Sequence, residues 1–459
     1  IADVPAEVMV SLARRMAHKR TFVTAAWSLQ RAQHGEQPYW MLVTLAAMLG
    51  QIGLKGRGFG FGYGAEGFIG SDWRRLNWAT LPKGRNPTGF HIPVARIADL
   101  LLNPGAAISY DGQEITYPDI KLIYWAGGNP FHHHQDLNRL IRGWRRPDTV
   151  IVNEPWWTPV AQWADIVFPA TTQLERDDIC ASSHDPYAHA MERAIPPQHE
   201  ARSDHEIFKG LARCLGVLEQ FTEGRSEREW LVQLWERSAV TALKQGVELP
   251  SFDAFWRDGI YKLPKDKKRV PWMSRYRQDP ELNRLNTPSG KIELYSAVID
   301  AFELDDCKGH ASWLEPAERL GGQGCDRYPL ALLTPQPKHR LHSQMDHAAH
   351  SRNSKIDGME VVTVHPETAR ARGIEAGQTV RIYNDRGACR AAVRLDDSMR
   401  KDVVVLPTGA WYKPENPAID NSLELNGNPN VLTLDIGTSG LAQGCSANTC
   451  LVEVELLDR

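Results

Sequence analysis

The stretch KLIYWAGGNPFHHHQDLNRLIRGWRRPDTVIVNEPWW, residues 121–157, decides the fold. An apolar run at 122–126 stops at Gly127-Gly128-Asn129-Pro130. Leu137, Leu140 and Ile141 then recur at helical spacing, and a second apolar run, 149–152, stops at Asn153-Glu154. This is the pattern of a β-α-β unit with a glycine turn after its first strand and an acid at the tip of its second. Glycines let backbone N–H groups approach a diphosphate, and a carboxylate at a strand end can accept hydrogen bonds from a ribose or a guanine edge. The unit is therefore expected to hold a nucleotide. A nicotinamide dehydrogenase would use the same unit, but GGNP is not GxGxxG.

Working outward, the 459 residues suffice for several domains, and 42% hydrophobic with 24% charged residues is an ordinary globular balance. A net charge of -3 gives no reason to expect nucleic acid or an acidic membrane as partner. No apolar run reaches the roughly 20 residues of a transmembrane helix. The seven cysteines are scattered and lack CxxC spacing, against a disulfide framework and against a local zinc or iron–sulfur site. Trp27, Trp125, Trp156, Trp157 and Trp411 sit in or beside glycine and proline turns, where they either pack or wall a cofactor. The chain opens at Ile1 in what reads as mid-sequence, with any export signal upstream.

Four blocks are expected. Residues 1–100 read as part of a first α/β cofactor-binding domain, with a helix at 4–18, a strand at 21–26, a buried helix at 39–49 that is apolar nearly all round, and a glycine-rich loop at 50–64. Residues 101–220 hold the β-α-β unit and a helix at 204–215. Residues 221–326 are a helical and connecting segment, with Ser226 placed to cap a helix at 227–240 and a charged, proline-containing stretch at 262–288. Residues 327–459 carry short strands at 361–364, 379–383, 389–394, 403–406 and 450–456, separated by turns, the pattern of a small β-barrel.

Several constellations invite chemistry. His132-His133-His134 are adjacent, so on a helix their imidazoles point about 100° apart and cannot chelate one ion. A histidine there donating to phosphate fits better than a metal, and simple exposure is the plain alternative. Glu154 and Thr158 lie just past a strand end or in an exposed turn. Arg176 belongs to the site or to a surface ion pair. Asp204 is a ligand or an N-cap. The 339–343 segment holds an anion or is a solvated loop. No GxSxG elbow is present, against a serine hydrolase.

Taken together, WSLQRAQHGEQPYW (27–40), MLGQIGLKGRGFGFGYG (48–64), PVARIADLLLNPG (93–105), WAGGNPFHHHQDLNRLIR (125–142), ADIVFPATTQLERDD (164–178), TPSGKIELYS (287–296), HRLHSQ (339–344) and GNPNVLTLDIGTS (427–439) resemble molybdopterin oxidoreductases of the dimethyl sulfoxide reductase family. The likeness is nearest to the biotin sulfoxide, dimethyl sulfoxide and trimethylamine N-oxide reductase branch. It implies a bis(molybdopterin guanine dinucleotide) molybdenum cofactor, no iron–sulfur cluster in this chain, α/β domains with parallel sheets gripping the dinucleotides, and a C-terminal β-barrel over the pterins. Carried over residue by residue, Trp27, Ser28, Gln30 and Arg31 match a segment contacting one dinucleotide. Asn129, His133, Asn153, Glu154, Trp156, Thr158, Arg176 and Asp204 match nucleotide-holding positions. Thr334, Pro335, Gln336, Pro337, Arg340 and His342 match a pterin–phosphate segment, and Asn428, Asn430 and Asn448 its C-terminal contacts.

The family's serine, cysteine or selenocysteine molybdenum ligand lies upstream of anything in this sequence, as do the pocket-lining tyrosine and tryptophan. The chain is thus expected to be a C-terminal portion, as a fragment or a split-gene subunit, with the N-terminal segment as a partner. The resemblance implies oxygen-atom transfer from an S-oxide or N-oxide, with an electron donor protein or thiol system returning the electrons. A non-catalytic cofactor-binding subunit is the alternative. The cysteine pattern favours cytoplasm, with the periplasm as the other choice.

Overall fold

The computed structural model describes residues 3–63, 72–265 and 270–457. Strands Leu122–Ala126, Thr149–Glu154 and Ile166–Pro169 pair in that order and all run parallel. Gly127 and Gly128 follow the first strand with φ of 79° and 85°, a conformation that glycine adopts without a Cβ penalty. Asn129 then caps the short helix Pro130–His133, its side chain accepting from the Phe131 N–H. Asp136 caps Leu137–Trp144 in the same way, accepting from the Arg139 N–H at 3.0 Å. Leu137, Leu140, Ile141 and Trp144 turn inward from that helix, as their spacing requires.

The C-terminal block closes into a six-stranded barrel, in the order Leu330–Leu333, Val403–Val405, Val361–Val364, Gly387–Leu395, Thr379–Asn384 and Leu451–Leu456. Alternation marks its interior: Thr379–Asn384 buries Val380, Ile382 and Asn384. One hydrophobic core runs from Phe131, Leu140 and Val152 of the β-α-β unit into Leu332, Val362, Ile382 and Val431 of the barrel. The barrel is therefore packed directly on the β-α-β unit. Further along, Arg277 donates to the Gly50 and Ile52 carbonyls at 2.8 and 3.0 Å, which anchors the helix Ser274–Gln278 on the first block.

The intervening chain builds a second core. Glu227–Lys244 begins at a capping box in which Ser226 and Glu229 exchange hydrogen bonds. Its Trp235 stacks on Phe255 and Trp78, beneath an antiparallel sheet of Asp178–Ala181, Tyr187–Met191 and Ile260–Lys262. Block boundaries read from the sequence are crossed here, because residues 78, 188, 235 and 263 share this core.

Two readings change. The apolar helix, seen as Gln37–Met48, is not buried: only Gln37 and Ala46 are, and Met48 is 77% exposed. Apolarity on every side of a helix demands neighbours on every side, and the described residues supply them on one side only. Asp204 is not an N-cap. Ser203 takes that place for Asp204–Cys214, accepting from the Glu206 N–H, so the Asp204 carboxylate is free for another partner. In the first block, helix Ala6–His18 precedes a parallel pair, Phe22–Val23 with Gly58–Phe59; Gly64, the end of the expected loop, lies outside the described residues.

Candidate functional site

A cleft of about 1250 Å³ lies outside the carboxyl ends of the parallel strands, between them, the first block and the barrel. Ligands of open α/β sheets bind at this place, and the volume exceeds the roughly 300–1,000 Å³ that suits a drug-sized molecule. The sheet supplies Asn129, Asn153, Glu154, Trp156 and Thr158. Arg176 and Asp204 come from the next turns, and Trp27, Gln30 and Arg31 from the first block. Gln336 and His342 face them from the barrel, and His133 from the turn after the first strand.

The polar groups on the sheet side hold each other in place. The Asn153 amide donates to Asp204 at 2.9 Å, while its oxygen accepts from the Tyr124 hydroxyl at 2.9 Å. Thr158 donates to Glu154 at 3.1 Å, and burial raises the Glu154 pKa above the usual carboxylate value. Arg176 donates to the Thr171 carbonyl and pairs with Asp178 at 3.3 Å.

Other expected residues lie behind the cleft wall. Asn428 donates to the Phe131 and Ala410 carbonyls at 2.9 Å, and Asn430 to the His132 carbonyl. Both are fully buried, joining barrel to sheet. Asn448 bridges the same seam further along: its amide donates to the Ser28 carbonyl at 3.3 Å and its oxygen accepts from the Thr334 N–H at 3.1 Å. Arg31 donates to the Thr334 carbonyl at 3.0 Å. The Pro335 carbonyl accepts from the Thr408 N–H, and neither it nor Pro337 reaches the cleft. Arg340 is also withdrawn, its side chain 2% exposed and paired with Glu360 at 2.6 Å.

Four cleft residues were not singled out individually for the site. His132 is 3% exposed, and neither ring nitrogen has a partner. Burial pushes its pKa down to about 3 and that of His133 to about 4, so both imidazoles are neutral. One Glu36 oxygen and the Thr171 hydroxyl are likewise buried without partners. Trp411 packs at a tilt on His347, which packs at a tilt on Trp156, at 4.8 and 4.9 Å between ring centroids, so the row crosses from barrel to sheet. Glu36 and Thr171 had no sequence signal; Trp411 had its place beside a glycine turn, and the histidine triplet could not say which ring is enclosed. His134 instead serves the packing, its Nε2 accepting from the Ala98 N–H. Among the described residues the group with metal-ligand spacing is His205, Glu206 and Glu227, away from this cleft.

A family profile described as "Molybdopterin oxidoreductase" matches residues 7–214, and one described as "Molydopterin dinucleotide binding domain" matches 330–451. The chain is 46% identical over 456 residues to biotin sulfoxide reductase of Cereibacter sphaeroides, covering 99% of this chain and 60% of that protein. Trimethylamine-N-oxide reductase of Haemophilus influenzae is 45% identical, at 99% and 57% coverage. Dimethyl sulfoxide/trimethylamine N-oxide reductase of Rhodobacter capsulatus is 42% identical, also at 99% and 57%. The chain thus spans about three fifths of the length of these curated relatives. Among solved structures, acetylene hydratase from Pelobacter acetylenicus shares the fold, with a TM-score of 0.55, 19% identity, and 74% of this chain and 45% of that one covered. Through the two profile matches and through relatives alike along 99% of its residues, the chain is similar to molybdopterin oxidoreductases.

Proposed function

We propose that the chain is the larger part of a molybdenum enzyme that reduces S-oxides or N-oxides by oxygen-atom transfer, with two molybdopterin guanine dinucleotides held in the cleft. The observation that carries this is the placement of Asn129, Asn153, Glu154 and Asp204 at the strand ends, facing His342 and Gln336 of the barrel across one cleft. The residues fit such a cofactor. A Cβ on Gly127 would meet nothing within 4 Å, which leaves room for a diphosphate against the turn. The unpartnered atoms of His132, Thr171 and Glu36 are polar groups that a ligand can satisfy.

When bound, the molybdenum group would supply two-electron oxygen-atom chemistry. The chain's own residues do the rest. Glu154 accepts from a guanosine, with Thr158 and the Asn153–Asp204 pair fixing its surroundings. Arg31 and Arg176 place positive charge beside the phosphates. Trp156 and Trp411 offer flat apolar walls to the planar parts of the ligand. An electron donor protein or a thiol system returns the electrons, and the molybdenum ligand comes from further polypeptide. The exposed side of Ala6–His18 and Gln37–Met48, with Leu12, Met41 and Met48 uncovered, suits that polypeptide. A cytoplasmic setting belongs to the same proposal, supported by seven free cysteines. No described helix is long and apolar enough to cross a membrane.

The test is co-expression of residues 1–459 with the unmatched part of a relative, in a host that makes the cofactor. Molybdenum and guanine nucleotide in the product, with viologen-driven reduction of biotin, methionine or dimethyl sulfoxide or of trimethylamine N-oxide, are expected. Residues 1–459 alone should not turn over. Cofactor bound without any oxide reduction would favour the non-catalytic subunit instead.

A further inference from the structure

The barrel loop at 341–345 puts His342, Ser343, Gln344 and Met345 on the cleft, and two of its residues are strained. His342 and Met345 have φ of 53° and 56°, in the left-handed region that L side chains rarely adopt. Such a shape persists only when its surroundings over-determine it. Those surroundings converge on one carboxylate. We propose that Asp346 is the positioning residue that sets this loop's shape and so fixes how His342 and Gln344 meet the cofactor, an inference that rests on the cofactor reading above.

Asp346 is 4% exposed. Its two oxygens pair with Lys355 at 2.8 and 2.9 Å, and one of them lies 3.3 Å from Arg340, which enters the loop. The other accepts from the Trp411 N–H at 3.0 Å, and the Trp411 indole in turn donates to the Ser343 carbonyl at 2.8 Å. One side chain therefore holds the loop's entry directly and its middle through Trp411. From behind, Gly409 leaves no space: a Cβ there would strike the His342 carbonyl.

The charges close on themselves. Arg340 and Lys355 face Asp346 and Glu360, with side chains between 2% and 6% exposed, two cations against two anions. The Arg340 charge is spent inside this cluster and is not offered to a phosphate. What the loop shows the ligand is an imidazole, a hydroxyl and a carboxamide. Asp346 is thus the point where loop geometry and local charge are set together. Glu360 balances charge but touches neither Trp411 nor the loop's cleft-facing residues in the hydrogen bonds and ion pairs described.

The experiment compares Asp346→Asn with Glu360→Gln. In the cofactor-free chain, amide exchange at 341–345 should quicken about tenfold in Asp346→Asn, the scale of one lost buried hydrogen bond, and stay near wild type in Glu360→Gln. In the loaded complex, the paramagnetic molybdenum signal should split into more than one species in Asp346→Asn alone. Trp411→Phe removes the indole N–H to Ser343 along with part of the ring and keeps the backbone N–H to Asp346. It should loosen the loop likewise, and it carries the test should Asp346→Asn not fold. Wild-type exchange and a single unchanged signal in Asp346→Asn, or equal effects in Glu360→Gln, would overturn the proposal. A wild-type complex that binds no molybdenum would instead sink the cofactor reading, with the exchange result still deciding the loop.

Discussion

Glu154 carries the sharpest residue-level expectation. Its carboxylate sits at a strand tip in the cleft, with Thr158 as its side-chain hydrogen-bond partner. Glu154→Ala in the cofactor-loaded enzyme should weaken cofactor retention by about 1–3 kcal/mol, the scale for losing a charged hydrogen-bond partner. The molybdenum-to-protein ratio after dialysis measures it. His132 gives a pH test. Its folded pKa of about 3 lies below the ordinary 6.5, so its contribution to stability is complete above 6.5 and is lost as pH falls from there toward 3. Each unit in that window costs roughly 1.4 kcal/mol. His132→Phe should flatten this part of the stability profile, read from denaturant midpoints between pH 6.5 and 4. The positions of Asn153 and Glu154 at a strand's end, and of Asn129 three residues past another, were legible because apolar runs announce those strands. Asn428 and Asn430 were not legible as structural residues. Their partners are the carbonyls of Phe131 and His132, nearly 300 positions away, and nothing local signals such a bond. Arg340 reads as an anion-binding residue until Asp346 and Glu360 are seen beside it.

At the scale of elements, local chemistry was the better guide. Ser226 three residues before Glu229 is a helix start with a mechanism, and the capping box forms. Ser226→Ala should cost about 1 kcal/mol and speed exchange in the first turn of Glu227–Lys244, with little change elsewhere. The barrel strands were legible for the same reason, since alternation and turns sit within a few residues of each other. Gln37–Met48 shows the limit. Its pattern states that it wants cover on all sides, but whether cover is present depends on chain that the helix does not contain. The first block's short parallel pair is alike in this, two residues per strand with α-helical neighbours of which one buries nothing.

At the scale of the molecule, the core shared by sheet and barrel makes them one thermodynamic unit. Leu140→Ala, on the sheet side and fully buried, should cost about 2–5 kcal/mol and lower the barrel's unfolding midpoint equally. Tryptophan fluorescence and exchange at Val362 and Ile382 should report the same midpoint; a barrel that outlasts the sheet would contradict a common core. The barrel's closure has a consequence in time. Its first strand, Leu330–Leu333, pairs with its last, Leu451–Leu456, through Leu330 and Val452, and that last strand also flanks Thr379–Asn384. On the ribosome, the strand that shuts the barrel therefore follows every other strand of the barrel, and the cleft-lining residues Thr438, Ala442, Gly444 and Cys445 come only just before it. The two faces of the cleft can close on each other only once that strand has been made, so a ligand that needs both faces cannot be enclosed before it.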